Sequence, residues 1–201
     1  MAFPLLALPA IKILLGVVAA LGLGGVAYKV LTRKDKIIFL GGDIAAGKTT
    51  IIEVLKLKDG ASLDTDDYHD TISNDVDALE TKINGLKYAF IDTSGKIEKE
   101  KIEGLKDKLK KDKDKVLEFY VFDASDFYSK NLMDEIKARK KEAKKRGFEC
   151  VAIGTHKDKI DADKKEAIEK EVSTQMRCRI FQLTYNAKAK GELQDFISKV
   201  S

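Results

Sequence analysis

Gly42-Asp43-Ile44-Ala45-Ala46-Gly47-Lys48-Thr49 satisfies the spacing GxxxxGK[ST]. Glycines at both ends let backbone amides turn inward around a phosphate, and a helix starting at the Lys adds its positive N-terminus. Lys48 would reach the β and γ phosphates as a point charge, and Thr49 would offer its hydroxyl to Mg²⁺, with Thr50 beside it in the nucleotide contact. The pattern carries this meaning only between a strand and a helix. Here it does: an apolar run at Lys36 to Leu40 precedes it, and a helical pattern from Lys48 to Lys56 follows.

Three further clusters fall at the ends of apolar runs. "AFIDTSG", Ala89 to Gly95, sets Asp92 and Gly95 in a DxxG spacing, so that the acid can hold Mg²⁺ through water and the Gly95 amide can bond a γ-phosphate. "VAIGTHKDKID" places Thr155-His156-Lys157-Asp158 where a guanine-reading NKxD motif would stand. A carboxylate there accepts two hydrogen bonds from guanine N1 and its exocyclic amine, which adenine cannot supply, so Asp158 implies guanine preference. Later, "FQLTYNAKAKGELQDFI" contains Asn186-Ala187-Lys188, aligned with an SAK motif whose backbone amide contacts the guanine oxygen. The acidic stretch "LDTDDYHDTISND" offers Thr65 and Thr71 as a threonine that caps Mg²⁺, Thr71 being preferred for its spacing to Asp92. Taken in order, these motifs point to GTP or GDP with Mg²⁺. An ATP-using P-loop enzyme survives only if the segment from Thr155 to Asp158 is coincidental.

Short apolar runs alternating with longer amphipathic ones must position these residues, which is the rhythm of a parallel sheet with crossover helices. Strands are predicted at Lys36 to Leu40, Leu86 to Ile91, Val116 to Phe122, Phe148 to Ile153 and Arg179 to Leu183. A weaker strand, Asp75 to Lys82, precedes the Asn84-Gly85 turn pair, which makes it antiparallel to its neighbour at the sheet edge. Helices are predicted at Lys48 to Lys56, Ile97 to Lys110, Ser129 to Arg146, Ala162 to Met176 and Lys190 to Val200. The expected fold class is α/β, a P-loop NTPase of six mostly parallel strands with one antiparallel edge strand, residues 33–201 forming the nucleotide domain.

The first 32 residues have a different character. From Phe3 to Leu31 the only charges are Lys12 and Lys29, and Ile13 to Tyr28 carries none. That length crosses a bilayer with Lys12 snorkelling, and the basic residues Lys29, Arg33, Lys34 and Lys36 place the domain on the cytosolic side of a single-pass anchor. The alternative, a signal peptide cleaved after "VAA", lacks a basic n-region. Gly16, Ala20 and Gly24 form small-xxx-small steps that would admit a helix partner in the membrane. Neither a myristoylation nor a prenylation signal is present.

Over the whole chain, 37 Lys and Arg against 33 Asp and Glu, interleaved in sign, argue against a nucleic-acid footprint. Two lysine-rich segments, "KIEGLKDKLKKDKDK" and "EIKARKKEAKKRGFE", read as solvated helix faces or, beside a bilayer, as contacts for anionic headgroups. Cys150 and Cys178 lack metal-site spacing, so reduced thiols without structural zinc are expected.

From Lys36 to Val200 the sequence resembles a small GTPase, most closely the ARF-like branch: "LGGDIAAGKTTII" is similar to that branch's GLDAAGKTT loop and "YVFDASD" to its VVDSxD segment. The N-terminal span resembles the architecture of the signal recognition particle receptor beta subunit, and the THxD motif resembles the Roc domains of Roco proteins. The resemblance implies a nucleotide-dependent switch with a protein effector and an external activator. It departs at three positions. His156 replaces the lysine that lies against the base, and Thr155 the usual asparagine. Lys96 stands where the family places the glutamine that orients the attacking water. An ammonium has no acceptor for that water, so intrinsic GTP hydrolysis is expected to be slow, with Lys48 and Gly95 the remaining candidate catalytic contacts. The alternative the sequence offers is a GTP-bound scaffold that docks a partner at the membrane.

Overall fold

The computed structural model describes residues 31–57, 78–93 and 99–201. Thr65, Thr71, Gly95, Lys96 and the apolar stretch up to residue 30 lie outside them. Among the described residues no helix is long and apolar enough to cross a membrane.

Six strands form one sheet: β1 (Lys36–Gly42), β2 (Ala78–Ile83), β3 (Leu86–Asp92), β4 (Val116–Asp123), β5 (Glu149–Thr155) and β6 (Cys178–Ile180), in the order β2-β3-β1-β4-β5-β6. Only β2 runs antiparallel, against β3. Asn84 and Gly85 join them with φ of 49° and 84°, the two successive left-handed residues of a type I′ hairpin. The helices are α1 (Lys48–Lys56), α2 (Lys99–Leu109), α3 (Leu132–Arg146), α4 (Ala162–Ser173) and α5 (Ala187–Val200).

Both faces of the sheet are covered, so its strands are apolar on both sides while side chains alternate between them. Ile38, Leu40, Leu117, Phe119, Val121, Val151 and Ile153 face α1 and α5, packing on Ile51, Leu55, Leu193 and Ile197. On the other face Ile37, Phe39 and Ile91 meet Ile102, Leu105 and Leu109 of α2, while Tyr120, Phe122 and Ala152 meet Ile136 of α3 and Ile168 and Val172 of α4. One buried acid lies within a strand, away from the strand ends. Glu118 on β4 is buried and pairs with the equally buried Lys106 of α2 at 3.2 Å.

Of the element boundaries that depart from the sequence expectation, three have evident local reasons. Asn131 takes φ 49°, which interrupts the backbone, so α3 starts at Leu132 and not Ser129. Asn186 accepts a hydrogen bond from the Ala189 amide at 2.9 Å, an N-cap that starts α5 at Ala187, three residues early. β6 ends at Ile180 because the next carbonyl, that of Phe181, accepts from the Lys157 amide at 3.3 Å and turns to support the loop after β5. All parallel strands therefore end at one edge, and Gly42, Asp92, Asp123 and Thr155 gather there, beside the point where the strand order reverses around β1.

Candidate functional site

The loop from β1 to α1 is shaped by its glycines. Gly42 has φ 130°, and a Cβ on it would stand 1.9 Å from the Val121 carbonyl oxygen, so no other residue fits. Gly47 has φ 87° and lies against Thr155, where a Cβ would come within 3.1 Å of its methyl group. Between them Ala45 is left-handed at φ 61° and Ile44 projects into solvent, 95% exposed. Gly47 caps α1 without any side-chain hydrogen bond, and the first turn holds no acidic residue, so the helix N-terminus keeps its positive potential.

Lys48 is only 4% exposed and folds back over this loop, donating to the Gly42 carbonyl at 3.0 Å and to the Asp43 carbonyl. Burial pulls its ammonium below the usual lysine range, and the charges of Asp92 and Asp43 oppose that pull without cancelling it. Such a cation, held by two neutral carbonyls, gains by meeting a phosphate. Thr49 Oγ1 lies 3.3 Å from Oδ2 of the buried Asp92, at the tip of β3. These two oxygens suit Mg²⁺, which takes few protein ligands and completes its shell with water and phosphate. Among the described residues no group of three His, Cys, Asp or Glu is placed to hold a metal ion. Thr93 ties β3 to β1 by donating both its amide and its hydroxyl to the Leu40 carbonyl, at 3.0 and 2.8 Å.

The second half of the site is the loop after β5. Thr155 Oγ1, buried, has the Ala46 carbonyl at 3.0 Å, the Phe122 carbonyl at 3.2 Å and His156 Nδ1 at 3.0 Å around it. Its single proton can serve only one of these three groups at a time. The threonine thus spans the phosphate loop and the sheet, although it has no amide group. His156 is left-handed at φ 56°, and its Nδ1 also sits 3.0 Å from Asp123 Oδ2 at the end of β4. Burial would raise the Asp123 carboxyl, but hydrogen bonds from the Ser125 hydroxyl and amide, with the charges of His156 and Lys159, hold it below the usual carboxylate range.

These halves enclose one cavity of about 310 Å³, lined by Gly47, Thr50, Thr155, His156, Asp158, Leu183 and Tyr185. Its size lies at the low end of small-molecule sites. Asp158 sits on a single 3-10 turn, Lys157–Lys159, directly after the strand. Asn186, Ala187 and Lys188 follow directly on the lining residue Tyr185, and the Asn186 side chain caps α5. Leu183 and Tyr185 stand three residues and one residue ahead of the matched motif at Asn186, which is why neither was singled out, and an aromatic residue directly before the motif was the available signal. Tyr185 also donates to Glu53 Oε2 at 2.7 Å, and Lys190 donates to the Leu57 carbonyl at 2.6 Å, so α5 holds the C-terminal turn of α1.

The structure superposes on a GTP-binding protein from Sulfolobus solfataricus solved with GDP, with a TM-score of 0.53 and 16% identity over 87% of this chain and 54% of that one. It also superposes on a Plasmodium falciparum chain described as nucleolar GTP-binding protein 1, with a TM-score of 0.50 and 14% identity over 83% of this chain and 86% of that one.

The chain has the fold of the GTP-binding proteins.

No protein-family profile matches the sequence, and no curated protein matches it at sequence level. This chain spans about half the length of the Sulfolobus protein, at 54%. At such identities the likeness is one of fold, with the mostly parallel six-stranded sheet and its antiparallel edge pair in common. Its ligand must be read from the residues that line the cavity.

Proposed function

We propose that this chain is a membrane-anchored small GTP-binding protein of ARF-like type that binds GTP and GDP with Mg²⁺. The observation that carries the proposal is the shared cavity: the phosphate loop at Gly47 and Thr50 and the base-reading loop at Thr155, His156 and Asp158 line one volume. A phosphate site alone would leave the base open. A carboxylate at Asp158 supplies the pair of acceptors that guanine N1 and its exocyclic amine require, while adenine has no matching donors.

The residues divide the ligand between them. Lys48, now on the Gly42 carbonyl, would turn to the β and γ phosphates, the amides of the loop from Gly42 to Gly47 would bond the phosphate chain, and Thr49 and Asp92, 3.3 Å apart, would hold Mg²⁺. When bound, the ion neutralises phosphate charge. Thr155 fixes the phosphate loop relative to the base loop, and His156 presents an imidazole in place of a lysine. In the switch reading, Thr71 and Gly95 sense the γ-phosphate and a partner protein reads the result, hydrolysis being slow because Lys96 cannot orient water. The apolar stretch from Ile13 to Tyr28 anchors the domain to a membrane, with the domain on the cytosolic side.

The test is competition against a fluorescent guanine nucleotide on the full chain in detergent. GTP and GDP should displace the label, ATP should not, and Asp158→Asn should move preference toward XTP. If ATP competes as well as GTP, Asp158 does not read the base.

A second reading, a GTP-bound scaffold that does not cycle, is favoured by Lys96 alone. Nucleotide retained through purification separates the two: mostly GTP marks the scaffold, mostly GDP the hydrolase.

A further inference from the structure

The edge of the sheet opposite the nucleotide site is built from three chain segments that touch one another. β1, β4 and β5 begin there in register, with Ile37 beside Val116 and Leu117 beside Glu149. Lys115 Nζ donates to the Thr32 carbonyl and Lys36 Nζ to the Asp114 carbonyl, each at 3.3 Å, which joins the entry to β1 with the 3-10 stretch Lys110–Lys115. Gly147, which closes α3, stands against Lys113, whose Cδ would lie 3.1 Å from a Cβ at that position. The lysines of the last turn of α3 therefore join the same surface.

Arg33, Lys111, Lys113, Lys144 and Lys145 are exposed on it, against the exposed acids Asp35, Asp114 and Glu149. One of those acids is already engaged, since Asp35 accepts from the Lys87 amide at 2.7 Å. Other charges nearby are consumed internally: Lys34 pairs with Glu80, Lys110 with Asp107, and Arg146 with Glu103 and Glu142. The net sign that remains at this edge is positive.

Leu31 is buried with Ile37, Phe39 and Leu109 in the core beneath this edge. In sequence the uncharged run ends at Tyr28, so only Lys29 and Val30 separate it from a residue fixed in the domain. Two residues reach less than about 10 Å even when fully extended, which is within the Debye length at about 0.1 M salt.

We infer that this edge is a second membrane contact, a basic surface that rests on anionic lipid headgroups and holds the nucleotide site facing away from the bilayer. The inference depends on the reading that the stretch from Ile13 to Tyr28 crosses a membrane. The strands separate the two ends of the domain by roughly 20 Å, so the lipid contact and the nucleotide contact do not compete. The lysine runs expose no aromatic side chain on which a base could stack, their one aromatic residue, Phe148, being buried, which favours lipid over nucleic acid as the anionic partner.

The experiment uses the full chain reconstituted in vesicles of phosphatidylcholine alone or doped with phosphatidylserine. Lysines are acylated with a water-soluble reagent and read by mass spectrometry. Lys111, Lys113, Lys144 and Lys145 should label roughly fivefold more slowly on the anionic vesicles, and raised salt should abolish the difference. Lys157 and Lys188, at the nucleotide end, should label alike on both. Equal labelling of the four edge lysines in the two lipids overturns the inference. Protection by an RNA oligonucleotide in detergent, without protection by anionic vesicles, overturns it in favour of nucleic acid. Alkaline carbonate extraction separates the two levels: a chain that stays in the membrane but shows no lipid-dependent labelling loses only the surface contact, while a chain that is stripped loses the anchor and this inference with it.

Discussion

His156 Nδ1 lies 3.0 Å from Asp123 Oδ2, and the carboxylate it meets is already fixed by the Ser125 amide and hydroxyl at 2.9 and 2.7 Å. This joins the tips of β4 and β5 at the cavity wall. A double-mutant cycle of Asp123→Asn and His156→Ala should give a coupling of about 0.5 kcal/mol, measured by urea unfolding. Additive losses in the two single variants would show that the contact adds nothing to stability.

The acid side of the same pair has its own signature. Because the folded-state value of Asp123 is depressed, its contribution is complete above the ordinary carboxylate range and disappears as pH falls from there through its lower folded value. The Asp123→Asn variant should therefore lose less stability than the parent between about pH 4 and pH 2. Parallel acid-unfolding curves would refute this.

Thr155→Val keeps the shape and removes the hydroxyl that reaches the Ala46 carbonyl. One neutral hydrogen bond is worth about 0.5–1.5 kcal/mol, so guanine nucleotide affinity should fall roughly 2- to 12-fold, mainly through faster dissociation. Stopped-flow release of a fluorescent analogue reads this directly, and an unchanged rate would show that the phosphate loop is held without the threonine.

Gly42→Ala should be far more damaging. The methyl group would overlap the Val121 carbonyl in a backbone conformation that alanine avoids, a loss of more than about 4 kcal/mol. The expected outcome is insoluble or unfolded protein by circular dichroism. A variant that melts near the parent would show that the loop can take another path.

The buried pair of Lys106 and Glu118 tests whether α2 is held by charge or by volume. Lys106→Met alone leaves an uncompensated carboxylate and should cost about 3–5 kcal/mol, while Lys106→Met with Glu118→Leu should return close to the parent. Urea midpoints of the two variants decide it.

The thiols set the alkaline limit. Burial pushes the Cys150 thiol up to about 12 and the Cys178 thiol also upward, so the folded state keeps protons that the unfolded chain gives up near pH 8.5. Stability must therefore fall as pH rises from about 8.5 toward 12, and Cys150→Ala with Cys178→Ala should flatten that fall. Thermal melts across the range measure it.

Residues whose role follows from backbone geometry were legible before any coordinates. The glycines of the phosphate loop, the Asn84-Gly85 hairpin and the two-sided apolar strands each need one residue type for one physical reason. Roles that depend on contacts across the fold were not legible. Thr155 read as the loss of an amide, yet its hydroxyl reaches the phosphate loop 109 positions away. Asn186-Ala187-Lys188 read as a base contact through a backbone amide, and nothing in the motif showed that the Asn186 side chain also starts a helix. Glu118 sat inside an apolar run with nothing nearby in sequence to announce Lys106. Spacing reveals what one segment can do, and only packing reveals which of two uses a side chain takes.

The grip of α5 on α1, through Tyr185 on Glu53 and Lys190 on Leu57, has a practical side for protein engineering. Trimming the chain before residue 183 would remove Leu183 and Tyr185 from the cavity wall and, with Tyr185 and Lys190, the hold on the C-terminal turn of α1. Reporter domains are better fused after Ser201, past a helix left whole, and split-protein complementation at the α4–β6 connection would make assembly of the two pieces a direct gauge of whether that turn is held.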